Sequence, residues 1–158
     1  MELRIREGIP EDFDELWRID QLCFEPGIAY TRRELEWYMN LRGAFTLVGE
    51  TQETPRSKWK ISGFVVGQQP RRGLGHIVTI DVLPAARRTG LGTRLMHDVE
   101  TRLTNDGCKT VCLETAVDNL PAIKFYKRLG YSVLKTIPRY YLDKIDALMM
   151  SKEVASRS

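Results

Sequence analysis

No stretch of the sequence approaches the roughly 18 consecutive apolar residues of a membrane-spanning helix. The first twelve residues, MELRIREGIPED, are charged almost from the start, so the sequence predicts neither a secretory signal nor a membrane anchor. Cysteine is scarce: Cys23, Cys108 and Cys112 are odd in number and have no partners at metal-ligand spacing. They are expected to be reduced thiols of a cytoplasmic protein without a metal site. Charge of one sign is also scarce. A net charge of +3 helps an anionic ligand but is too small to argue for nucleic acid. There is no internal repeat, and low complexity is confined to the terminal ASRS. A chain of 158 residues with 42% hydrophobic and 28% charged residues is ordinary globular composition. It is long enough to bury one core. One domain over residues 1–153, with a tail at 154–158, is the expectation.

What is present is a regular alternation of strand and helix patterns. Leu3–Arg6 alternates as a short strand. A helix follows, with Pro10 in its first turn, Glu11 and Asp12 at its positive end, and a stripe of Phe13, Leu16, Trp17 and Ile19. Thr31, with Glu34 three residues on, forms a capping box for a second short helix. AFTLVGE, WKISGFVVGQQ and GHIVTIDVLP read as three strands, the first two joined by the polar loop TQETPRSK. In TGLGTRLMHDVETRLTNDG, Leu91, Leu95, Val99 and Leu103 recur every four residues, and Gly107 sits where a helix ends. KTVCLETAV is a strand and NLPAIKFYKRLG a helix. YSVLKTI and IDALMMSKEV close the chain as strands joined by PRYYLDK. The order β-αα-βββ-α-β-α-ββ predicts an α/β fold with a single mixed sheet of about seven strands, mostly antiparallel, and about four helices on both faces.

Two stretches share a composition: RRGLG at Arg71–Gly75 and RRTGLG at Arg87–Gly92. The first lies between two strands, where its glycines make a turn. The second joins an apolar strand to a long helix, where backbone N–H groups lack intrahelical partners and face outward at the positive end of the helix dipole. It is either a plain strand-to-helix turn or an anion site in which Gly90 and Gly92 admit a phosphate without a Cβ in the way. Two nucleotide motifs are excluded. A dinucleotide fingerprint needs a third glycine where Leu95 stands, and a phosphate-binding loop needs Gly-Lys-Ser/Thr where Gly92-Thr93-Arg94 stands.

Arg87-Arg88-Thr89-Gly90-Leu91-Gly92, preceded by IVTIDVLP, resembles the Arg/Gln-x-x-Gly-x-Gly/Ala acyl-CoA motif of the GNAT acetyltransferase superfamily. LETAVDNLPAIKFYKRLGY is similar to the superfamily's strand-Asn-helix block. The two occur in the family's order, and the likeness runs over nearly the whole chain. Within the superfamily the chain most resembles the ribosomal-protein-alanine (RimI-type) and archaeal N-terminal acetyltransferases, whose ending is similar to RYYLDKIDALMM. It departs from many of them at Ile145, where they carry a second acid.

The resemblance implies acetyl-CoA as cofactor and a peptide or protein N-terminus as acceptor, a ribosomal protein among the possibilities. It implies that the backbone of Ile80, Asp81 and Val82 pairs with the pantetheine arm and the carbonyl. The N–H groups of Arg88, Thr89, Gly90, Leu91, Gly92 and Thr93 would hold the pyrophosphate, with Arg87 adding positive charge. Asn119 is a helix N-cap by position, and the family adds a contact to pantetheine. Glu114, a carboxylate in an apolar strand on the same face as Cys112 and Ala116, is either an ion-paired glutamate or, by the resemblance, the general base. Tyr126 lies two helical turns from Asn119 on the same face. It is either a core aromatic or, by the resemblance, the general acid beside the CoA sulfur. Tyr30, Tyr140 and Tyr141 either pack at strand ends or flank the acceptor groove. His76 and His97 carry no visible signal. Two other functions stay open: a GNAT enzyme for a small amine or a lysine side chain, and a non-catalytic CoA-binding module. A monomer or weak homodimer is expected.

Overall fold

A computed structural model describes residues 1–154. Strand β1 (Glu2–Glu7) leads through a short 3-10 turn (Pro10–Asp12) into helix α1 (Phe13–Cys23) and then α2 (Arg32–Met39). Strands β2 (Ala44–Gln52), β3 (Lys60–Arg71) and β4 (Leu74–Val82) follow as a meander. Then come α3 (Leu91–Asn105), β5 (Thr110–Ala116), α4 (Leu120–Arg128), β6 (Ser132–Tyr141) and β7 (Ile145–Glu153). The strands form one sheet in the order β1-β2-β3-β4-β5-β7-β6, antiparallel except for β4–β5. The expected order and the expected mixed, mostly antiparallel sheet are both present.

Helices cover both faces. Leu91, Leu95, Val99 and Leu103 of α3 are fully buried on one face with Val65, Val111 and Met150. Leu16, Ile19 and Leu35 of α1 and α2 are buried on the other with Val48, Phe64 and Val66. The four-residue recurrence read along α3 is therefore its core stripe. The Thr31 capping box closes as expected, with Glu34 N donating to Thr31 Oγ1 at 3.1 Å and Thr31 N donating to Glu34 Oε1 at 2.9 Å. The three cysteines are free thiols. No helix among the described residues is long and apolar enough to cross a membrane. Of the predicted tail, residues 155–158 lie outside the described residues, while Val154 N still donates to Lys109 O at 2.9 Å.

Two departures shape the site. The segment 138–144 was expected to be a link, yet β6 continues through Pro138 to Tyr141. This strand is the edge of the sheet, so a proline that cannot donate a ladder hydrogen bond is tolerated there. The register breaks between Ile137 and Tyr141, where Arg139 takes a positive φ of 51° and its N–H donates to Asp146 Oδ1 at 2.9 Å. The second departure is a bulge in β4. Its pairing with β3 steps from Val66↔Thr79 to Gly67↔Ile77, leaving Val78 as the extra residue. β4 and β5 pair only at Leu74↔Thr110, Gly75↔Val111 and His76↔Cys112, then separate. A bulged strand bends and twists more strongly, which accounts for a parallel pair that opens partway along.

Candidate active site

The strands β4 and β5 part beyond His76, and Glu114 lies beside this opening. Beyond His76, β4 has no strand neighbour on its β5 side, so part of its backbone is free to pair with an extended ligand. Ile80 to Val82 lie on this free length. The Val82 carbonyl is already engaged, accepting from Arg87 Nε at 3.0 Å and from Cys23 Sγ at 3.4 Å.

Arg87 to Thr93 form the turn and first residues of α3. Gly90 is the N-cap with φ 91°, and no side chain caps the helix there. A Cβ on Gly90 would meet nothing within 4 Å, so its glycine is required by backbone conformation, and the space in front of it is open. Arg88 also has a positive φ, 62°. Thr89 Oγ1 donates to Ala86 O and receives a long contact from Leu91 N at 3.4 Å. Gly92 also has a packing role. A Cβ there would lie 3.3 Å from Phe125 Cζ, so its bare Cα serves the packing of α3 against α4. An uncapped helix N-terminus facing open space, next to a strand with an unpaired edge, fits a phosphate joined to an extended amide-bearing arm.

On β5, Glu114 projects into the opening. Its partner is a residue to which no function was attached from the sequence: His76 Nε2 lies 2.8 Å from Glu114 Oε1, with the two side chains 23% and 13% exposed. The 38 residues between them hide the pair in one dimension. It follows from strand register, since His76 is opposite Cys112 and Glu114 is two residues further along the same face. With the carboxylate ionised, Nε2–H donates to it and Nδ1 is left as an acceptor.

Asn119 caps α4, its side chain accepting from Ala122 N at 3.3 Å. Tyr126 is 9% exposed, with its ring against Phe125 and Tyr131. Its hydroxyl has no protein hydrogen-bond partner among the described residues. Burial, and next the Asp81 carboxyl, push the Tyr126 phenol above its ordinary range.

A tyrosine rim closes the other side. Tyr30 and Tyr38 pack as tilted rings 5.1 Å apart between centroids, and Tyr140 and Tyr141 meet edge-on at 4.8 Å. Burial, and then neighbouring charge from Glu114 at Tyr140 and Tyr141 and from Tyr38, Tyr140 and Tyr141 at Tyr30, raises these phenols, which sets Tyr30, Tyr140 and Tyr141, the residues expected to flank an acceptor groove, near one another. Burial first, then Glu114, pushes Tyr140 up to about 12. The leucine after this tyrosine pair, Leu142, rests against the bare Cα of Gly27 and so joins the two links that flank the groove. Of the residues singled out from the sequence, Glu114, Tyr140, Tyr141 and Tyr30 are thus brought together. Tyr126 and Asn119 lie on α4, whose partner α3 begins at the Gly90 turn. His97 is exposed on α3 beside Asp98. Among the described residues no group of three or more His, Cys, Asp or Glu could hold a metal.

The structure thus presents a seven-stranded sheet opened between a parallel pair, with a glycine turn on one side of the opening and a carboxylate on the other, and the class of protein the chain belongs to is the acyltransferases. A model of the acetyltransferase (GNAT) family matches residues 13–131, and the chain belongs to that family of acyltransferases. The N-alpha-acetyltransferase of Sulfurisphaera tokodaii is 32% identical over 157 residues, covering 95% of this chain and 92% of that protein. An uncharacterized N-acetyltransferase of Methanocaldococcus jannaschii is 36% identical over 95 residues, covering 60% of each chain. The crystal structure of Ard1 from Thermoplasma volcanium superposes with a TM-score of 0.84 at 27% identity, over 99% of this chain and 100% of that one.

Proposed function

We propose that this enzyme transfers the acetyl group of acetyl-CoA to the α-amine of a protein N-terminus, with Glu114 as base and Tyr126 as acid. The observation that carries the proposal is the His76–Glu114 pair at the opening of the sheet, beneath the tyrosine rim. The uncapped start of α3, Arg88 to Thr93, would take the pyrophosphate, and the free edge of β4 the pantetheine amides. Bound acetyl-CoA supplies an activated thioester, and the chain's own residues manage protons around it.

A thioester is attacked by a neutral amine. Peptide α-amines have a pKa near 7.7–8.0 and lysine ε-amines near 10.4, so at neutral pH about a tenth of the former and under a thousandth of the latter is neutral. One carboxylate, acting through a water, suffices to take the proton of an α-amine. Hydrogen-bonding to His76 holds Glu114 at the opening for that purpose. Tyr126 is the nearby proton donor for the departing thiolate. Its raised pKa makes a phenol a weaker acid, but the same dry surroundings raise the thiol as well, which keeps the transfer within reach. The rim of Tyr30, Tyr38, Tyr140 and Tyr141 offers flat faces and hydroxyls to a peptide backbone at little entropic cost.

The test is acetylation of a panel of peptides, ribosomal-protein N-termini included, each paired with an Nα-blocked twin that keeps an internal lysine. Mass spectrometry then locates the acetyl group. Acetyl on the α-amine of unblocked peptides only is the expected outcome. Faster acetylation of the blocked twins assigns the enzyme to side chains, and turnover of free small amines alone assigns it to metabolites.

A further inference from the structure

Asp20, in the last turn of α1, and Asp81, near the end of β4, are 0% and 1% exposed, and their carboxyl groups meet where the helix crosses the strand. Neither has an ion-pair partner among the described residues. One oxygen of each is satisfied: Tyr30 N donates to Asp20 Oδ2 at 2.7 Å, and Thr79 Oγ1 donates to Asp81 Oδ1 at 2.6 Å. The remaining oxygens, Asp20 Oδ1 and Asp81 Oδ2, are buried without any donor. Two carboxylates touching in a dry interface is a costly arrangement, whereas one proton between them gives each bare oxygen a partner.

We propose that Asp20 and Asp81 share a single proton, and that this hydrogen bond is a positioning device that fixes Tyr30 at the rim of the acceptor groove. The acceptor half of this statement rests on the N-terminal acetyltransferase function above. Tyr30 is held at three points. Its N–H is taken by Asp20. Its carbonyl accepts from Trp17 Nε1 at 3.1 Å and Gln21 Nε2 at 2.7 Å, both on α1. Its hydroxyl donates to Val78 O at 3.3 Å, on β4. The backbone of Tyr30 thus travels with α1 and its phenol is tied to β4. Among the described residues the end of α1 is tied to β4 by the Asp20–Asp81 contact between side chains and by Cys23 Sγ donating to the Val82 carbonyl at 3.4 Å, and of these the carboxyl pair is the one that holds the Tyr30 N–H.

Burial and the acidic or neutral groups around the pair favour one proton, against the pull of Arg87 and of the hydrogen bonds from Thr79 and Tyr30. Glu34, from α2, opposes charge on Asp20, and the Cys23 thiol, pushed up to about 11 by burial and then by Asp81, stays neutral beside it. Tyr126, from α4, and Tyr30 are neutral phenols. Arg87 favours charge on Asp81, but its Nε is spent on the Val82 carbonyl. Burial raises both acids, Asp81 the more strongly. The backbone N–H of Tyr30 favours charge on Asp20, so Asp81 is the proton donor and Asp20 the acceptor. Loss of the proton sets two like charges face to face and drives α1, with the Tyr30 backbone, away from β4.

Asp81→Asn and Asp20→Asn put an amide N–H where the proton lies and keep the other oxygen for Thr79 or Tyr30, so they hold the bond at every pH. Three measurements on the intact protein test the proposal. In the infrared difference spectrum between wild type and Asp81→Asn near pH 7, a protonated-carboxyl band belonging to wild type is expected; its absence overturns the shared proton. Thermal unfolding from about pH 6 to about pH 9 should show wild type losing stability relative to both Asn variants as pH rises, because the folded state holds a proton that the unfolded chain has released. Parallel profiles also overturn it. Finally, the KM for an unblocked peptide from the panel should climb with pH in wild type, by up to about tenfold per unit once the proton is lost. It should stay flat in Asp20→Asn, whose side chain lies outside the residues assigned to the cofactor, with kcat following the same profile in both. A KM that climbs equally in both removes Tyr30 positioning while leaving the shared proton to the first two measurements. Those need no substrate, so they stand even where no peptide is acetylated.

Discussion

Glu114 and Tyr126 differ in how firmly the protein holds them, and that sets how their substitutions should behave. Glu114 is clamped by His76, so Glu114→Gln keeps the shape and the contact and removes only the capacity to take a proton. The defect should be deepest near neutral pH and partly recover near pH 9, where an α-amine with pKa near 7.7–8.0 deprotonates unaided. A pH–rate profile of both enzymes on one peptide checks this; parallel curves take the base role from Glu114. Tyr126→Phe keeps a ring packed against Phe125 and Tyr131 and deletes one hydroxyl. Turnover should fall by about 10²–10⁴, the range of general acid–base catalysis, with acetyl-CoA affinity nearly unchanged. Unaltered turnover makes Tyr126 a packing residue. Glu114 and Tyr126 stood out in the sequence as a carboxylate in an apolar strand and a tyrosine in register with a helix cap, while the roles of base and acid came only from the family resemblance. His76 was not visible. Nothing local marks it, and only the β4–β5 register brings it to Glu114. The side chain of Asp81 was hidden for a similar reason, since its partner Asp20 comes from a helix 61 residues away in sequence.

The elements themselves were legible where a recurrence of nearly four ran along α3 and where apolar runs of strand length stood between polar or glycine turns, as in the meander. What could not be read were the places where an element breaks its own rule: the Val78 bulge, the partial β4–β5 pairing and the continuation of β6 through Pro138. All three depend on which strand lies alongside, a property of the sheet and not of the segment. The two arginine-glycine stretches do separate at this scale, and they provide a matched pair. Gly73 and Gly90 have φ of 83° and 91°, and a Cβ on either meets nothing within 4 Å. Gly73→Glu and Gly90→Glu should therefore cost similar stability, about 1–2 kcal/mol for an L-residue held at positive φ. Gly90→Glu should in addition abolish CoA binding, because it places a carboxylate at the start of α3. Gly73→Glu, in the β3–β4 hairpin, should leave binding nearly intact. Calorimetric titration with CoA, alongside urea unfolding, reads both quantities. Equal losses of binding, or none, reject the phosphate assignment.

Across the described molecule, three buried aspartates fall into two sets with opposite effects on stability, and the difference lies in their partners. Asp20 and Asp81 have each other and are pushed up; their contribution fades as pH rises. Asp12, at the turn into α1, has Arg6. The guanidinium donates to both carboxylate oxygens, at 2.8 and 2.9 Å, and Ile9 N donates at 2.9 Å. Hydrogen bonds from Arg6 outweigh burial and hold Asp12 below the ordinary carboxylate range. Arg6 also reaches Glu50 at 3.3 Å, so this one contact joins β1, β2 and the start of α1. Because the folded protein holds Asp12 ionised to lower pH than the unfolded chain does, its contribution is complete above about pH 4 and drains away as pH falls further. Asp12→Asn keeps the side-chain shape and discards the charge. The gap in unfolding free energy between wild type and Asp12→Asn should be widest near neutral pH and close progressively in acid, measured by urea unfolding over a pH series. That direction is the reverse of the one for Asp81→Asn. A gap independent of pH would mean that Asp12 acts at this junction by shape and neutral hydrogen bonding, and that its charge adds nothing to the attachment of α1.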